Sequence, residues 1–209
     1  MTDHIVGLVL AGGLATRMGG ADKGLLELRP DWRLLDEVLQ RLEPQVERIA
    51  INANGDPARL QSFGLPVLPD GVEGYAGPLA GVLTGLDWAA GQGATHVVSV
   101  AADTPFFPTD LVSRLKEAVG PEGVALAATK EFDGKVWNQP TFGLWPVSLR
   151  EDLRRALVEE GLRKIVLWTK KHQAGQAMYD LSQLGFDPFF NVNTPEDLVE
   201  AKRIAQEGT

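Results

Sequence analysis

Two cations stand alone in a stretch of small residues near the start of the chain. Five glycines lie between Gly12 and Gly24, and the basic side chains among them are Arg17 and Lys23. A backbone with so few Cβ atoms lets its N–H groups close around an anion. Arg17 can grip phosphate oxygens through two parallel hydrogen bonds, and Lys23 can act as a point charge. This is the chemistry of a nucleoside triphosphate site. Other phosphate loops fail on spacing. Lys23 sits between Asp22 and Gly24, where a Walker A loop requires Gly-Lys-Ser/Thr, and no Gly-x-Gly-x-x-Gly occurs. The bland alternative is a flexible linker. It is disfavoured because the loop directly follows Ile5–Leu10, an apolar run of the kind that forms a strand buried on both faces.

The whole chain narrows the chemistry further. Its 209 residues suit one domain, 1–209, and its formal charge of −8 argues against a nucleic-acid surface. No cysteine is present, which removes disulfides, thiolate metal sites and thiol nucleophiles. Met-Thr-Asp-His lacks a basic leader, and no apolar run reaches membrane-spanning length, so a cytoplasmic protein is expected. An acidic protein that binds a triphosphate needs a divalent metal for part of the neutralisation, and hence a carboxylate to hold it.

Hydrophobic spacing predicts the elements that position these groups. Helices are expected over 32–46, 78–90, 109–119 (with Thr109 as N-cap), 147–160 and 163–171, with one or two helical turns over 57–63. The last helix, 195–206, is signalled by Thr194 as N-cap, Pro195 at its first position, and Glu196 and Asp197 in its first turn. Strands are expected over 5–10, 48–54, 66–68, 95–102, 124–129 and 139–145, the last two flanking a turn at Asp133-Gly134. The alternation predicts an α/β fold, a Rossmann-like, mostly parallel sheet with helices on both faces.

In such sheets the ligand crevice lies beyond the carboxyl ends of the strands. The polar candidates fall there: the glycine loop after the first strand, Asn52 after the second, Asp70 after the third and Asp103 after the fourth. By position, Asp103 reads equally well as a Mg²⁺ ligand or as a turn or helix cap. Pro69-Asp70-Gly71 is also an ordinary turn sequence. His4, His96 and His172 are scattered without a visible partner and read as surface or packing residues. Nothing suggests a nucleophilic triad.

The pieces Leu10-Ala11-Gly12-Gly13, Arg17-Met18-Gly19-Gly20 and Asp22-Lys23-Gly24-Leu25 resemble, in that order, the signature of the molybdenum cofactor guanylyltransferase (MobA-like) nucleotidyltransferases. The resemblance extends to Asn52-Ala53-Asn54, Leu68-Pro69-Asp70, Gly77-Pro78-Leu79-Ala80-Gly81, Asp103-Thr104-Pro105, Gln139-Pro140-Thr141 and Asn191-Val192-Asn193-Thr194-Pro195. It implies a nucleotide-diphospho-sugar transferase-like fold and transfer of GMP from GTP to the terminal phosphate of molybdenum-bearing molybdopterin, with release of pyrophosphate. It further implies that Leu10, Ala11, Gly12, Gly13, Lys23, Asn52, Asp70 and Asp103 contact GTP. Asp103 would also hold Mg²⁺, and Arg17, Lys23 and Asp103 would carry catalysis. Asn191 and Asn193 would face the pterin, with a helix-capping role for Asn193 as the alternative. Other molybdenum cofactor biosynthesis proteins and apo-molybdoenzymes are the implied partners.

Related cytidylyltransferases carry Leu-Ala-Ala-Gly at the first motif, so Gly12 favours guanine. One departure stands out: a Gly-Lys-Pro-like turn is replaced by Leu28-Arg29-Pro30-Asp31-Trp32-Arg33, leaving Arg29 or Arg33 to stand for its lysine. Competing readings are a sugar-1-phosphate nucleotidyltransferase and a GTP-sensing protein without turnover.

Overall fold

The computed structural model describes residues 3–12, 22–72, 74, 77–184 and 186–207. Among them the strands are β1 (Ile5–Leu10), β2 (Glu27–Arg29), β3 (Trp32–Arg33), β4 (Ile49–Asn52), β5 (Val67–Leu68), β6 (His96–Ala101), β7 (Ala125–Lys130), β8 (Val136–Pro146) and β9 (Gly175–Asp180). The α-helices are α1 (Leu34–Leu42), α2 (Pro78–Gly91), α3 (Leu111–Glu117), α4 (Arg150–Val158), α5 (Ile165–Lys171), α6 (Leu181–Leu184) and α7 (Pro195–Glu207). Short 3₁₀ turns include Lys23–Leu25 and Pro57–Phe63.

Alternate side chains of β1 enter two different cores, Ile5 and Val9 with α1 and α3, Val6 and Leu8 with α2 and α4. A strand apolar on both faces belongs inside a sheet. β1 pairs in parallel with β4 on one side and β6 on the other. The full order is β5-β4-β1-β6-β8-β7-β9. β4–β5 and β7–β9 are also parallel, whereas β8 runs antiparallel to both β6 and β7. The chain therefore moves outward from β1 through β4 to β5 and returns as β6 on the other side of β1. Their carboxyl ends diverge there, which opens the crevice.

A third core cluster joins parts distant in sequence. Leu28 and Leu34 pack with Phe106, Val192, Ala201 and Ile204, with Trp32 and Phe190 against them. The β2–β3 hairpin is thereby tied to α7 and to the segment before it. Full burial of each large apolar side chain is worth about 1.5–3 kcal/mol, enough for this cluster to fix where Asn193 lies relative to Lys23.

Helix α2 approaches the sheet through glycines. A Cβ on Gly81 would stand 2.2 Å from Asn52 Oδ1 and 2.8 Å from Leu10 Cδ2, and one on Gly85 2.5 Å from Leu8 Cδ2. An interior helical Gly→Ala change ordinarily stabilises by about 1 kcal/mol. At position 81 overpacking costing about 1–3 kcal/mol outweighs that gain. We expect Gly81→Ala to lower the melting temperature by about 3–6 °C and to weaken nucleotide binding by displacing Asn52. Gly91→Ala, where a Cβ meets no described atom within 4 Å, is the control: it should neither lower the melting temperature nor weaken nucleotide binding. Differential scanning calorimetry and titration calorimetry check the pair.

Several expected boundaries shift. The helix expected over 32–46 is shortened to α1, because Trp32 and Arg33 pair as β3 with β2 and Glu43–Gln45 tightens into a 3₁₀ turn around Pro44. Thr109 is not an N-cap: Leu111 N donates to Pro108 O at 3.2 Å, a turn that delays α3 to Leu111, with Asp110 in the cap position. β8 begins at Val136, ahead of the expected Gln139. β2, β3, β9 and α6 were not expected.

Candidate functional site

Two polar clusters form at the carboxyl ends of the strands. The first is built on β4 and β5. Asn52, 4% exposed at the end of β4, donates Nδ2 to Leu68 O at 3.1 Å and to Asp70 Oδ1 at 2.9 Å. Asn54 Nδ2 donates to Asp70 Oδ2 at 2.8 Å, and Asn54 Oδ1 accepts from Asp70 N at 2.8 Å. Both carboxylate oxygens of Asp70 thus hold amides, which fixes which end of Asn52 is acceptor and which is donor. Ala11 N donates to Asn52 O at 2.9 Å, so Leu10, Ala11 and Gly12 leave β1 directly beside this cluster. A Cβ on Gly12 would meet Asn52 Oδ1 at 3.8 Å and nothing else within 4 Å. The described residues leave room for a side chain at position 12.

The second cluster joins three distant parts of the chain. Lys23 Nζ donates to Asp103 Oδ2 at 2.9 Å and to Asn193 Oδ1 at 2.6 Å. Asp103 follows β6, and its carbonyl accepts from Val192 N at 2.8 Å, which holds the segment before α7 against the strand end. Thr104 Oγ1 lies 3.5 Å from Asp103 Oδ1. The Lys23 and Asp103 side chains are each 21% exposed, so the ion pair faces the crevice without being sealed from it.

The segment Asn191–Asn193 alternates as expected: Val192 is fully buried in the third cluster while Asn191 and Asn193 are exposed. The capping of α7 falls to other residues. Thr194 Oγ1 accepts from Asp197 N at 3.1 Å, and Asp197 Oδ2 accepts from Thr194 N at 2.8 Å and Asn193 N at 2.9 Å, a reciprocal cap. The backbone N–H of Asn193 does most to hold the Asp197 carboxyl below its ordinary range, against a smaller opposing effect of desolvation, with Thr194 and the charge of Lys23 adding to it. The Asn193 side chain is left to Lys23.

Of the residues expected in the site, Leu10, Ala11, Gly12, Asn52 and Asp70 gather at the first cluster, and Lys23, Asp103 and Asn193 at the second. Asn191 stands two residues before Asn193. Gly13 and Arg17 lie outside the described residues. Asn54 joins the first cluster beyond the expected residues, and its spacing of two from Asn52 on an extended segment is the signal for it. Arg29 and Arg33 are both engaged locally. Arg29 donates to Glu37 at 3.3 Å and lies 4.8 Å over the Trp32 ring. Arg33 forks onto Asp36 at 2.8 and 3.1 Å and lies 3.9 Å over Phe63.

His172 does have partners, contrary to expectation. It is buried against Trp168 at 4.1 Å between ring centroids, with Nδ1 2.5 Å from Glu122 and Nε2 2.8 Å from Asp152. Burial raises the Asp152 carboxyl, but the hydrogen bonds from His172 and Trp168 and the charges of Lys171 and His172 bring it below its ordinary value. Gly175 N bonds Val124 O nearby, which places this cluster at the amino ends of β7 and β9, away from the crevice. Its role is structural.

Among the described residues no group of three or more His, Cys, Asp or Glu is placed to hold a metal, and no helix is long and apolar enough to cross a membrane.

Residues 7–174 match the family of the MobA-like NTP transferase domain. The chain is 49% identical to the molybdenum cofactor guanylyltransferase of Bradyrhizobium sp. (strain ORS 278), over 98% of this chain and 94% of that one. It is 48% identical to that of Mesorhizobium japonicum over 100% of both. Among solved structures, molybdopterin-guanine dinucleotide biosynthesis protein A from Archaeoglobus fulgidus superposes with a TM-score of 0.67 at 23% identity, covering 97% of this chain and 99% of that one. A 4-diphosphocytidyl-2C-methyl-D-erythritol synthase does so with a TM-score of 0.71 at 15% identity, covering 98% and 99%. At these identities the structural likeness speaks for the fold alone, that of the nucleotide-diphospho-sugar transferases.

Proposed function

The chain belongs to the MobA-like NTP transferase family, and from that premise we propose that it transfers GMP from GTP to the terminal phosphate of molybdenum-bearing molybdopterin. The observation that carries the reading is the meeting of Lys23, Asp103 and Asn193 at one point. It joins the end of the glycine loop, a metal-competent carboxylate and the segment assigned to the acceptor.

An oxygen of the acceptor phosphate attacks the α-phosphorus of GTP, and the bond from that phosphorus to the bridging oxygen breaks, releasing pyrophosphate. A phosphate monoester with a second pKa of about 6 is largely dianionic at neutral pH, so the attack needs no general base. Lys23 and Arg17 neutralise phosphate charge, and the cluster of Asn52, Asn54 and Asp70 orients the nucleoside end.

Asp103 would hold Mg²⁺. A single carboxylate without a surrounding cage of protein ligands fits an ion that takes one or two carboxylates and completes its shell with substrate phosphates and water. Bound there, the ion supplies charge neutralisation on the triphosphate. The chain is further inferred to be a cytoplasmic protein working beside other molybdenum cofactor biosynthesis proteins and apo-molybdoenzymes, on the strength of its family.

Purified protein incubated with each NTP in turn, Mg²⁺ and molybdopterin tests the function by pyrophosphate release and by mass of the dinucleotide product. GTP alone should support turnover, and only with the acceptor present. Turnover with glucose-1-phosphate in place of molybdopterin would establish the sugar-phosphate reading, and tight GTP binding without any release would establish a sensor.

Base choice is a separate expectation. Because the described residues leave space beside Gly12, Gly12→Ala should keep its fold and act by crowding the ligand. GTP affinity is expected to fall roughly 10-fold, the scale of one misplaced methyl group, and CTP affinity by less. Equal losses in titration calorimetry would place base selection elsewhere.

A further inference from the structure

The Asp22 side chain makes no capping bond to its own 3₁₀ turn, Lys23–Leu25. Its carboxylate instead accepts from Arg59 Nε at 2.9 Å, and the Asp22 side chain is only 14% exposed. The same guanidinium donates from Nη2 to Asn54 O at 2.8 Å and from Nη1 to Asp56 O at 2.5 Å. Arg59 is carried on the 3₁₀ segment Pro57–Phe63, which is N-capped by Asp56 through Ala58 N at 2.9 Å and preceded by Gly55 at a φ of +85°. Two of these partners adjoin the two polar clusters. Asp22 adjoins Lys23 of the second cluster, and Asn54 holds Asp70 of the first.

We propose that Arg59 is a positioning residue that sets Lys23 against the nucleoside end of the site, by bracing Asp22 on the Asn54 backbone. The link runs without interruption from Asn52 through Asp70, Asn54, Arg59 and Asp22 to Lys23 and Asp103. Three donors of one planar fork meet an oxygen each in three different directions, which a flexible ammonium cannot reproduce. Arg59 touches neither substrate in this scheme. It fixes the distance between the groups that hold the phosphates and those that hold the base, so its loss acts on ligands that span both. GTP spans both; inorganic pyrophosphate does not.

The inference rests on the reading of this crevice as a GTP site, and its test does not require transfer to occur. GTP and pyrophosphate affinities are measured by titration calorimetry for the wild type, Arg59→Ala, Arg59→Lys, Asp22→Asn and the Arg59→Ala/Asp22→Asn double variant. Loss of the brace should weaken GTP about tenfold in Arg59→Ala and leave pyrophosphate within about twofold, the difference between a hydrogen bond to a charged group kept and lost. Arg59→Lys should recover only part of the loss. The double variant should be no worse than the more affected single one, because the two side chains act as one unit. If Arg59→Ala unfolds at the assay temperature, Asp22→Asn carries the test alone, since the amide keeps shape and loses only the charge. GTP affinity unchanged in a folded Arg59→Ala or Asp22→Asn, parallel loss of GTP and pyrophosphate, or additive effects in the double variant would overturn the proposal. A wild type that binds GTP but transfers nothing would overturn the proposed function while leaving this test readable.

Discussion

Asp103→Asn is expected to reduce GMP transfer by on the order of 10²–10³-fold in a protein that folds normally. The amide preserves the size of the side chain, and the backbone bond from Val192 N to Asp103 O at 2.8 Å does not depend on it. What disappears is the negative charge that would hold Mg²⁺ and that now faces Lys23 Nζ at 2.9 Å. The ion pair itself contributes little to stability, about 1 kcal/mol at most for a pair open to the crevice, so the melting temperature should move by no more than about 2–4 °C. Activity is therefore the quantity that moves. Measured across Mg²⁺ concentrations, the variant should show lower kcat even at saturating metal. Near-normal transfer by a folded Asp103→Asn at limiting Mg²⁺ would remove Asp103 from the metal role and leave it as the partner that orients Lys23.

The central half of the molecule was open to reading because its strands follow a simple physical rule. Ile5–Leu10 is apolar without a break, and His96–Ala101 is broken after His96 only by Ser99, which suits strands covered on both faces. The polar residues that end them have no packing reason to be there. Asn52, Asp70 and Asp103 could be placed at strand ends before any neighbour was known. The hairpin of β2 and β3 escaped because strands of three and two residues carry no period. Trp32 begins an apolar spacing that continues into α1, and the buried Glu37 that binds Trp32 Nε1 at 3.1 Å and Arg41 Nε at 3.1 Å looks like an exposed helix position in the sequence. β9 was hidden by its edge position, with only Ala177 and Tyr179 fully buried among more polar neighbours. Pairings across long stretches were equally illegible. Nothing in the order of residues announces that Lys23 meets Asn193, or that His172 meets Glu122, because such contacts are set by how separate cores stack.

That contact between Lys23 and Asn193 changes what the two asparagines should do when they are removed one at a time. Both point away from the core while Val192 is buried, so both are available to the acceptor, and amides can donate and accept along a pterin edge or to a phosphate. Asn191→Ala should raise the KM for molybdopterin about 10-fold, the scale of one hydrogen bond to a charged group, with GTP affinity within about twofold of the wild type. Asn193→Ala should differ. Its Oδ1 accepts from Lys23 Nζ at 2.6 Å, so its removal weakens the acceptor site and also frees a cation that serves the nucleotide, lowering GTP affinity and kcat as well. Neither change should disturb α7, whose cap is the Thr194 and Asp197 pair, and both melting temperatures should stay close to that of the wild type. Steady-state kinetics in molybdopterin alongside GTP titrations separates the two patterns. A fall in GTP affinity with Asn191→Ala and unchanged molybdopterin kinetics would reverse the assignment of this segment. A fall in melting temperature alone with Asn193→Ala would make its contact with Lys23 a structural one.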